Sequence, residues 1–480
     1  MRASLVIASL NEGEKLWRTV GSCLETADGL DCEVVVADDG STDGSLDELS
    51  RRFPKAGIVT HAERLGVSPT KDLAGRSARG EVLVFLDGHC KPEPGALARL
   101  VAGVEATGGR AILTPAVPAL DAERWENKMH QVGQGYRIDL ERFDCGWIGL
   151  ERMRESGEVT GRLLYESPAL IGCCLAIGRA TYDRLWGFDP DMRIWGVEDL
   201  DFGLKAWLMG HPILHDAGAV VGHRFRAGFD NYTVPMEHIV ANQLRMARKN
   251  FTDEVWEEWL ARFRGRQPDW LHDLAWRAFE ERRASVERER EYLLAHRVHD
   301  EFWYAERFGL PWPVAAPWDR TSPRAAALMP AATATPPAPA VAVPGGLTGA
   351  DEEFDDPREL FLEHYRHPRN RRMLASPDVI GSAESAGGAT LTVYLGLDHA
   401  GTDGARIGRI GFQSQRCGIA VAYASLLTEL VLGRSLAQAR GIRPADLMGR
   451  FGEGAGALDS ASLAVAALRR AMDRVGRDPG

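Results

Sequence analysis

The sequence predicts a mostly parallel α/β domain with a helical extension, followed by a separate small α+β domain. Three observations predict it. Short β-branched apolar runs alternate with helix-periodic segments through the first half of the chain. Several of those runs stop abruptly at acidic or histidine-bearing turns, as strands buried on both faces do. A stretch rich in alanine and proline with few charges then interrupts the chain and cannot bury enough surface to fold. The expected division is an α/β domain over 1–235, a helical extension over 236–313, a tether over 314–350 and an α+β domain over 351–480. A length of 480 residues fits two or three domains.

The opening run Leu5 to Leu10 is too short for a secretory or membrane segment and reads as a first strand. The next helix carries Leu16, Val20, Cys23 and Leu24 on one face. EVVVADDGSTDGS then gives a second buried strand that ends at Asp38-Asp39. Strand, helix and strand in that order imply a right-handed parallel unit. Two carboxylates at a strand end suit the hydrogen-bonding needs of a nucleotide's base and ribose. The same residues also suit an Asx-rich turn capping the next helix. The segment RLGVSPTKDLAGRSARGE reads as a loop and an amphipathic helix, with Lys71 and Arg76 as cationic candidates for donor phosphates.

The central element is EVLVFLDGHCKP. Val82 to Leu86 has the composition of a buried strand, and Asp87 and His89, two apart on extended backbone, point the same way as half of a divalent-metal site. In a doubly wound sheet, ligands bind beyond the carboxyl ends of the strands, where this pair falls. A helix follows from Pro94 to Val104, then a strand over AILTPAVPAL. Residues 121–165 are polar and weakly periodic and are expected to form loops and short helices. Ala169 to Ile177 is expected to be a strand, with Gly172 where a ligand could approach the backbone closely. Trp195-Gly196-Val197-Glu198-Asp199 places two acids at a helix start, which complements the helix dipole. With its tryptophan and glycine, it also suggests a sugar platform bearing a hydroxyl-binding or proton-accepting carboxylate. HPILHDAGAVVGHRFR adds a strand and a third candidate metal ligand, His223. From Met236 to about Arg307 the pattern is helical, and its aromatics read as packing.

Composition bounds the rest. A formal charge of −11 disfavours nucleic acid or an anionic membrane as the main partner. Seven scattered cysteines point to a reducing, cytoplasmic compartment rather than a disulfide framework. No segment reads as a membrane span.

The ordered blocks DDGSTDG, FLDGHC, WGVED and VGHRFR resemble those of family 2 and family 27 glycosyltransferases of the GT-A fold, especially the polypeptide N-acetylgalactosaminyltransferases, over roughly residues 1–260. The resemblance implies that Asp87, His89 and His223 bind Mn²⁺ or Mg²⁺ and that Asp38 or Asp39 contacts uridine. It implies also that Trp195 and Glu198 contact the donor sugar. The acidic block departs from the Glu-Asn of those enzymes. Its Glu198-Asp199 resembles the inverting β-galactosyltransferases and chondroitin-type synthases, which makes Asp199 the expected general base and leaves retention or inversion open.

Past the tether, HYRHPRN and CGIAVAYASLLTE resemble the NifU-like iron–sulphur scaffold family over about residues 354–476. The family's chemistry needs three cysteines. Only Cys417 is present, the other positions falling near Gly387 and at Ser460, with Ala389 where the accompanying Asp would stand. One thiolate does not assemble a stable cluster within a monomer, so no iron–sulphur cluster is expected. The domain reads instead as a surface for a protein partner. The function expected is transfer of a hexose or N-acetylhexosamine from a UDP-sugar to a hydroxyl of a peptide, protein or glycan. The alternative is an iron–sulphur assembly or delivery factor with a silent sugar-nucleotide domain.

Overall fold

A computed structural model describes residues 1–311 apart from 28, 160 and 226–232, together with 314. It also describes 357–475 apart from 367, 375, 386–388, 399–404, 416–417 and 452–456. The chain divides into two compact units, Met1–Pro317 and Trp318–Gly480.

The first unit opens with β1 (Ala3–Ser9), α1 (Glu14–Thr26), β2 (Cys32–Asp38), α2 (Ser45–Arg52) and β3 (Gly57–Thr60). It continues with α3 (Val67–Ser77), β4 (Val82–Asp87), β5 (Cys90–Pro92), α4 (Ala96–Ala106) and β6 (Ile112–Asp121). Five further strands follow: β7 (Glu126–Gly133), β8 (Gly135–Ile138), β9 (Cys145–Ile148), β10 (Arg154–Val159) and β11 (Arg162–Glu166). Then come β12 (Cys174–Gly178), α5 (Arg179–Arg184), α6 (Glu198–Leu208) and β13 (Ile213–His223). Five helices complete the described part: α7 (Met236–Asn250), α8 (Asp253–Arg264), α9 (Asp269–Glu280), α10 (Arg283–His296) and α11 (Glu301–Phe308).

The main sheet runs β10-β11-β13-β6-β12-β4-β1-β2-β3. β4, β1, β2 and β3 are mutually parallel, whereas β12 runs antiparallel to β4. Register aligns Ser9 with Asp38 and Ala8 with Asp87, so three neighbouring strands finish at one level and their terminal side chains share one end of the sheet. The short β5 then pairs antiparallel with the end of β13, His223 opposite Cys90. That pairing carries His223 to the residues following β4.

The structure departs from the sequence expectations at three points. Residues 121–165 hold five strands beside one short helical turn at Leu150–Arg152, because polar chain there folds into hairpins, β7 on β6, β8 on β9 and β10 on β11, and leaves no helical period to read. The strand expected over 169–177 begins only at Cys174; Gly172 and Cys173 precede it. In α1 the buried face is Leu16, Thr19, Val20 and Cys23, while Leu24 is 46% exposed. At about 100° per residue the buried stripe centres between Cys23 and Leu16, and Leu24 falls about 90° from that centre, at the rim. The aromatics of the extension pack as expected, with Trp256, Trp259 and Phe302 buried and Trp259 stacked on Phe263.

Within the second unit α12 (Pro357–Arg366) precedes an antiparallel meander of β14 (Val379–Glu384), β15 (Thr390–Asp398) and β16 (Arg406–Gln415). Helices α13 (Gly418–Val431), α14 (Leu436–Arg440), α15 (Pro444–Phe451) and α16 (Ala457–Met472) follow. β14 lies so close to α16 that a side chain at Gly381 would meet the Ala471 backbone. The unit is α+β, as the sequence predicts. Among the described residues, no helix of either unit is long and apolar enough to cross a membrane.

Candidate active site

Asp87, His89 and His223 converge beyond the end of β4, with one ligand atom of each lying within 4.8 Å of the others. The Nε2 atoms of His89 and His223 face each other at 3.0 Å, and His223 Nε2 is 3.4 Å from Asp87 Oδ2. Two imidazole nitrogens and a carboxylate oxygen aimed at one point form a donor set suited to a divalent first-row ion.

Beneath this point lies Lys71 of α3, 2% exposed. Its Nζ donates to the Gly172 carbonyl at 2.9 Å and lies 3.5 Å from Asp87 Oδ1 and 3.7 Å from Glu198 Oε1. The ammonium was expected to meet donor phosphates. It sits instead between the end of β4 and the acidic segment, joining the two. Burial would raise the Asp87 carboxyl, but Lys71 and the two imidazoles outweigh it and hold the group well below the usual carboxylate range. Arg76 takes no part: five residues along α3, about 140° around the helix, it bonds Asp72 Oδ2 and the Trp186 carbonyl.

Glu198 and Asp199 open α6. Asp199 is fixed by two backbone donors, Gly172 N–H on Oδ2 at 3.0 Å and Leu200 N–H on Oδ1 at 2.8 Å. Gly172 is required there, since a Cβ would stand 2.9 Å from Asp199 Cβ. Burial, then the neighbouring Asp199 charge, pushes the Glu198 carboxyl up to about 7. Asp199 is raised as well, mainly by burial, with Lys71 and the two N–H donors opposing. The approach to this helix is strained: Ile194 and Val197, both β-branched, hold φ of 63° and 60°. Trp195 between them is 40% exposed.

The paired acids of β2 act through backbone. Asp38 accepts from Gly40 N–H, Ser41 N–H and Ser41 Oγ, forming the Asx turn that the sequence also allowed. Asp39 accepts from Leu65 N–H and Gly66 N–H, and Gly66 pairs with Ile194. Gly66 must be glycine, because a Cβ would meet the Ile194 backbone at 2.2 Å. The Asp39 carboxylate thereby supports the strained segment that aims Glu198 and Asp199.

Sequence reasoning missed two groups. Glu12, in the loop after β1, places Oε1 3.0 Å from His89 Nδ1. Its signal was a carboxylate following a strand parallel and adjacent to β4. Behind α6, Lys249 Nζ bonds Asp189 at 2.8 Å and Asp201 at 2.7 Å, and Lys205 bonds Glu289 at 2.6 Å, all buried. Arg245 adds paired bonds to Asp189. This network fastens the helical extension to the acidic helix.

In the second unit, Cys417 and Gly387 lie outside the described residues. Ser460 and Ala389 are buried. His364 Nδ1 is 2.9 Å from Ser425 Oγ, and Arg369 Nε is 2.8 Å from Glu429 Oε1.

Comparison with known proteins places these observations. Polypeptide N-acetylgalactosaminyltransferase 3 of Taeniopygia guttata is 29% identical over 266 residues, covering 53% of this chain and 42% of that protein. Polypeptide N-acetylgalactosaminyltransferase 12 of Mus musculus is 32% identical over 240 residues, covering 47% and 40%. The chain thus spans about two fifths of the length of the curated relatives it matches. Among solved structures, GalNAc-T7 with UDP, GalNAc and Mn²⁺ overlaps at 20% identity and a TM-score of 0.48, covering 64% of this chain and 56% of that one. S. aureus TarS 1-349 in complex with UDP-GlcNAc overlaps at 18% identity and a TM-score of 0.39, covering 55% and 71%. Residues 160–215, which include the acidic segment, match the family described as N-terminal domain of galactosyltransferase. Residues 4–186 match Glycosyl transferase family 2 and residues 357–477 match NifU-like N terminal domain, so the chain carries a family 2 glycosyltransferase domain and a NifU-like domain.

Proposed function

We propose that the first unit is a metal-dependent glycosyltransferase of GT-A type, moving a hexose or N-acetylhexosamine from a UDP-sugar to an acceptor hydroxyl. The observation that carries this reading is the convergence of Asp87, His89 and His223, brought together by the β5–β13 pairing. Mn²⁺ or Mg²⁺ held by those side chains supplies charge neutralisation for a diphosphate leaving group. Asp38 or Asp39 and the turn they brace receive the uridine, while Trp195 and Glu198 face the donor sugar. Asp199, locked by Gly172 and Leu200, takes the proton of the acceptor hydroxyl. A carboxylate with a raised pKa is the better proton acceptor, and this favours inversion.

The names of the curated relatives support a peptide or protein acceptor, and a glycan acceptor remains an arm of the test. The NifU-like domain is read as a docking surface for a protein partner. Its buried Ser460 and Ala389, standing where a thiolate and a carboxylate would be needed, disfavour the iron–sulphur alternative. The direct test is a panel of UDP-sugars with Mn²⁺, with and without EDTA, scored by UDP release. Release with one sugar, abolished by EDTA and stimulated by an acceptor, is expected. No release with any sugar overturns the reading.

A further inference from the structure

Glu12 plays no part in the transfer reading, yet it supports the first imidazole. Its Oε1 lies 3.0 Å from His89 Nδ1 across 77 residues of sequence, and both side chains are buried. The other nitrogen of that ring, Nε2, faces His223. A ring that donates from Nδ1 to a carboxylate is held in one orientation and one tautomer, with the Nε2 lone pair turned to the cleft. We infer that Glu12 is a positioning residue for metal binding: it orients His89 and fixes its tautomer without touching the ion. The inference rests on the reading of the triad as a metal site.

The surrounding backbone is built for this approach. A Cβ at Gly88 would stand 3.0 Å from Glu12 Cγ and 3.1 Å from the Ala8 carbonyl, so glycine between Asp87 and His89 gives Glu12 its path. Asn11 sits at φ 50°, a left-handed conformation that asparagine tolerates, and this turns the chain so that residue 12 faces the end of β4. The turn after β2 clamps the loop on both sides. Asn11 N–H donates to Ser41 Oγ, Thr42 N–H donates to Asn11 Oδ1 and Gly13 N–H donates to Asp43 Oδ2, each at 2.8 Å. Glu12 is thus fixed by the turn through which the nucleotide is proposed to bind.

The test is the affinity of the full chain for Mn²⁺ alone, read from the paramagnetic resonance of free Mn²⁺, for wild type, Glu12→Leu and Glu12→Gln. Glu12→Leu removes the acceptor at similar volume and is expected to bind Mn²⁺ roughly 10–100-fold more weakly. Glu12→Gln keeps an acceptor oxygen without its charge and is expected to fall between Glu12→Leu and wild type. A merely structural role would lower the melting temperatures and leave the affinity of the folded protein unchanged. Folded Glu12→Leu with wild-type affinity overturns the assignment. If Glu12→Leu does not fold, Glu12→Gln decides: weaker binding supports the inference and unchanged binding overturns it. Wild type that binds no Mn²⁺ at millimolar concentration overturns the metal reading itself, and the inference with it.

Discussion

Lys71 Nζ and Asp87 Oδ1 lie 3.5 Å apart, with Glu198 at 3.7 Å on the other side of the same ammonium. One buried cation therefore neutralises a proposed metal ligand and an acid at the start of α6 together. Lys71→Met should leave the buried Glu198 and the partly exposed Asp87 without their shared cation and destabilise the chain by about 2–4 kcal/mol. Urea unfolding measures this, and a loss below about 1 kcal/mol would contradict the role.

Asp199→Asn should lower transfer by roughly 10²–10⁴-fold, the usual contribution of general-base catalysis. UDP and Mn²⁺ binding should stay at wild-type strength. Turnover near wild type would remove the base assignment.

Gly172→Ala probes the same carboxylate from the side. Its new methyl group would stand 3.0 Å from Asp199 Oδ2 and displace it. Transfer should fall on the order of a hundredfold through misplacement alone. Donor affinity, measured by UDP titration, should change little. An unaffected rate would show that the position of Asp199 is not critical.

Two buried histidines set an acid limit on stability. Burial depresses His215, against the opposing charge of Asp216, and it depresses His364 together with Arg369; both fall from 6.5 to about 4. Each folded-state pKa lies below its unfolded value, so the unfolded chain binds the extra proton between them. Stability is therefore full above about pH 6.5 and declines as pH falls towards 4, by up to about 3 kcal/mol per histidine. His215→Gln should flatten the decline in the first unit and His364→Gln in the second, as followed by urea unfolding from pH 7 to 4. Profiles identical to wild type would contradict the assignment.

The parallel body of the first unit was legible because its strands are buried on both faces. Val82–Leu86 carries no polar residue, and the turn that follows has to hold whatever the strand end presents. Residues 121–165 were not legible, since Glu126–Gly133 is mostly exposed and is a strand only because β6 pairs with it. Asp87 and His89 could be joined from local spacing alone. His223 needed β5, three residues long, whose partner no local pattern names. Lys71 reads as a cation for donor phosphates because the carboxylates that hold it buried come from distant segments. Asp38 and Asp39 were placed at the correct strand end, yet their carboxylates bind backbone N–H groups, which sequence does not display.

Mn²⁺ binding by wild type beside His223→Ala tests the proposed Asp87-His89-His223 triad most directly. One Mn²⁺ per wild-type chain and affinity reduced by about a hundredfold or more in folded His223→Ala are expected. Equal Mn²⁺ affinity in the two proteins would contradict the triad.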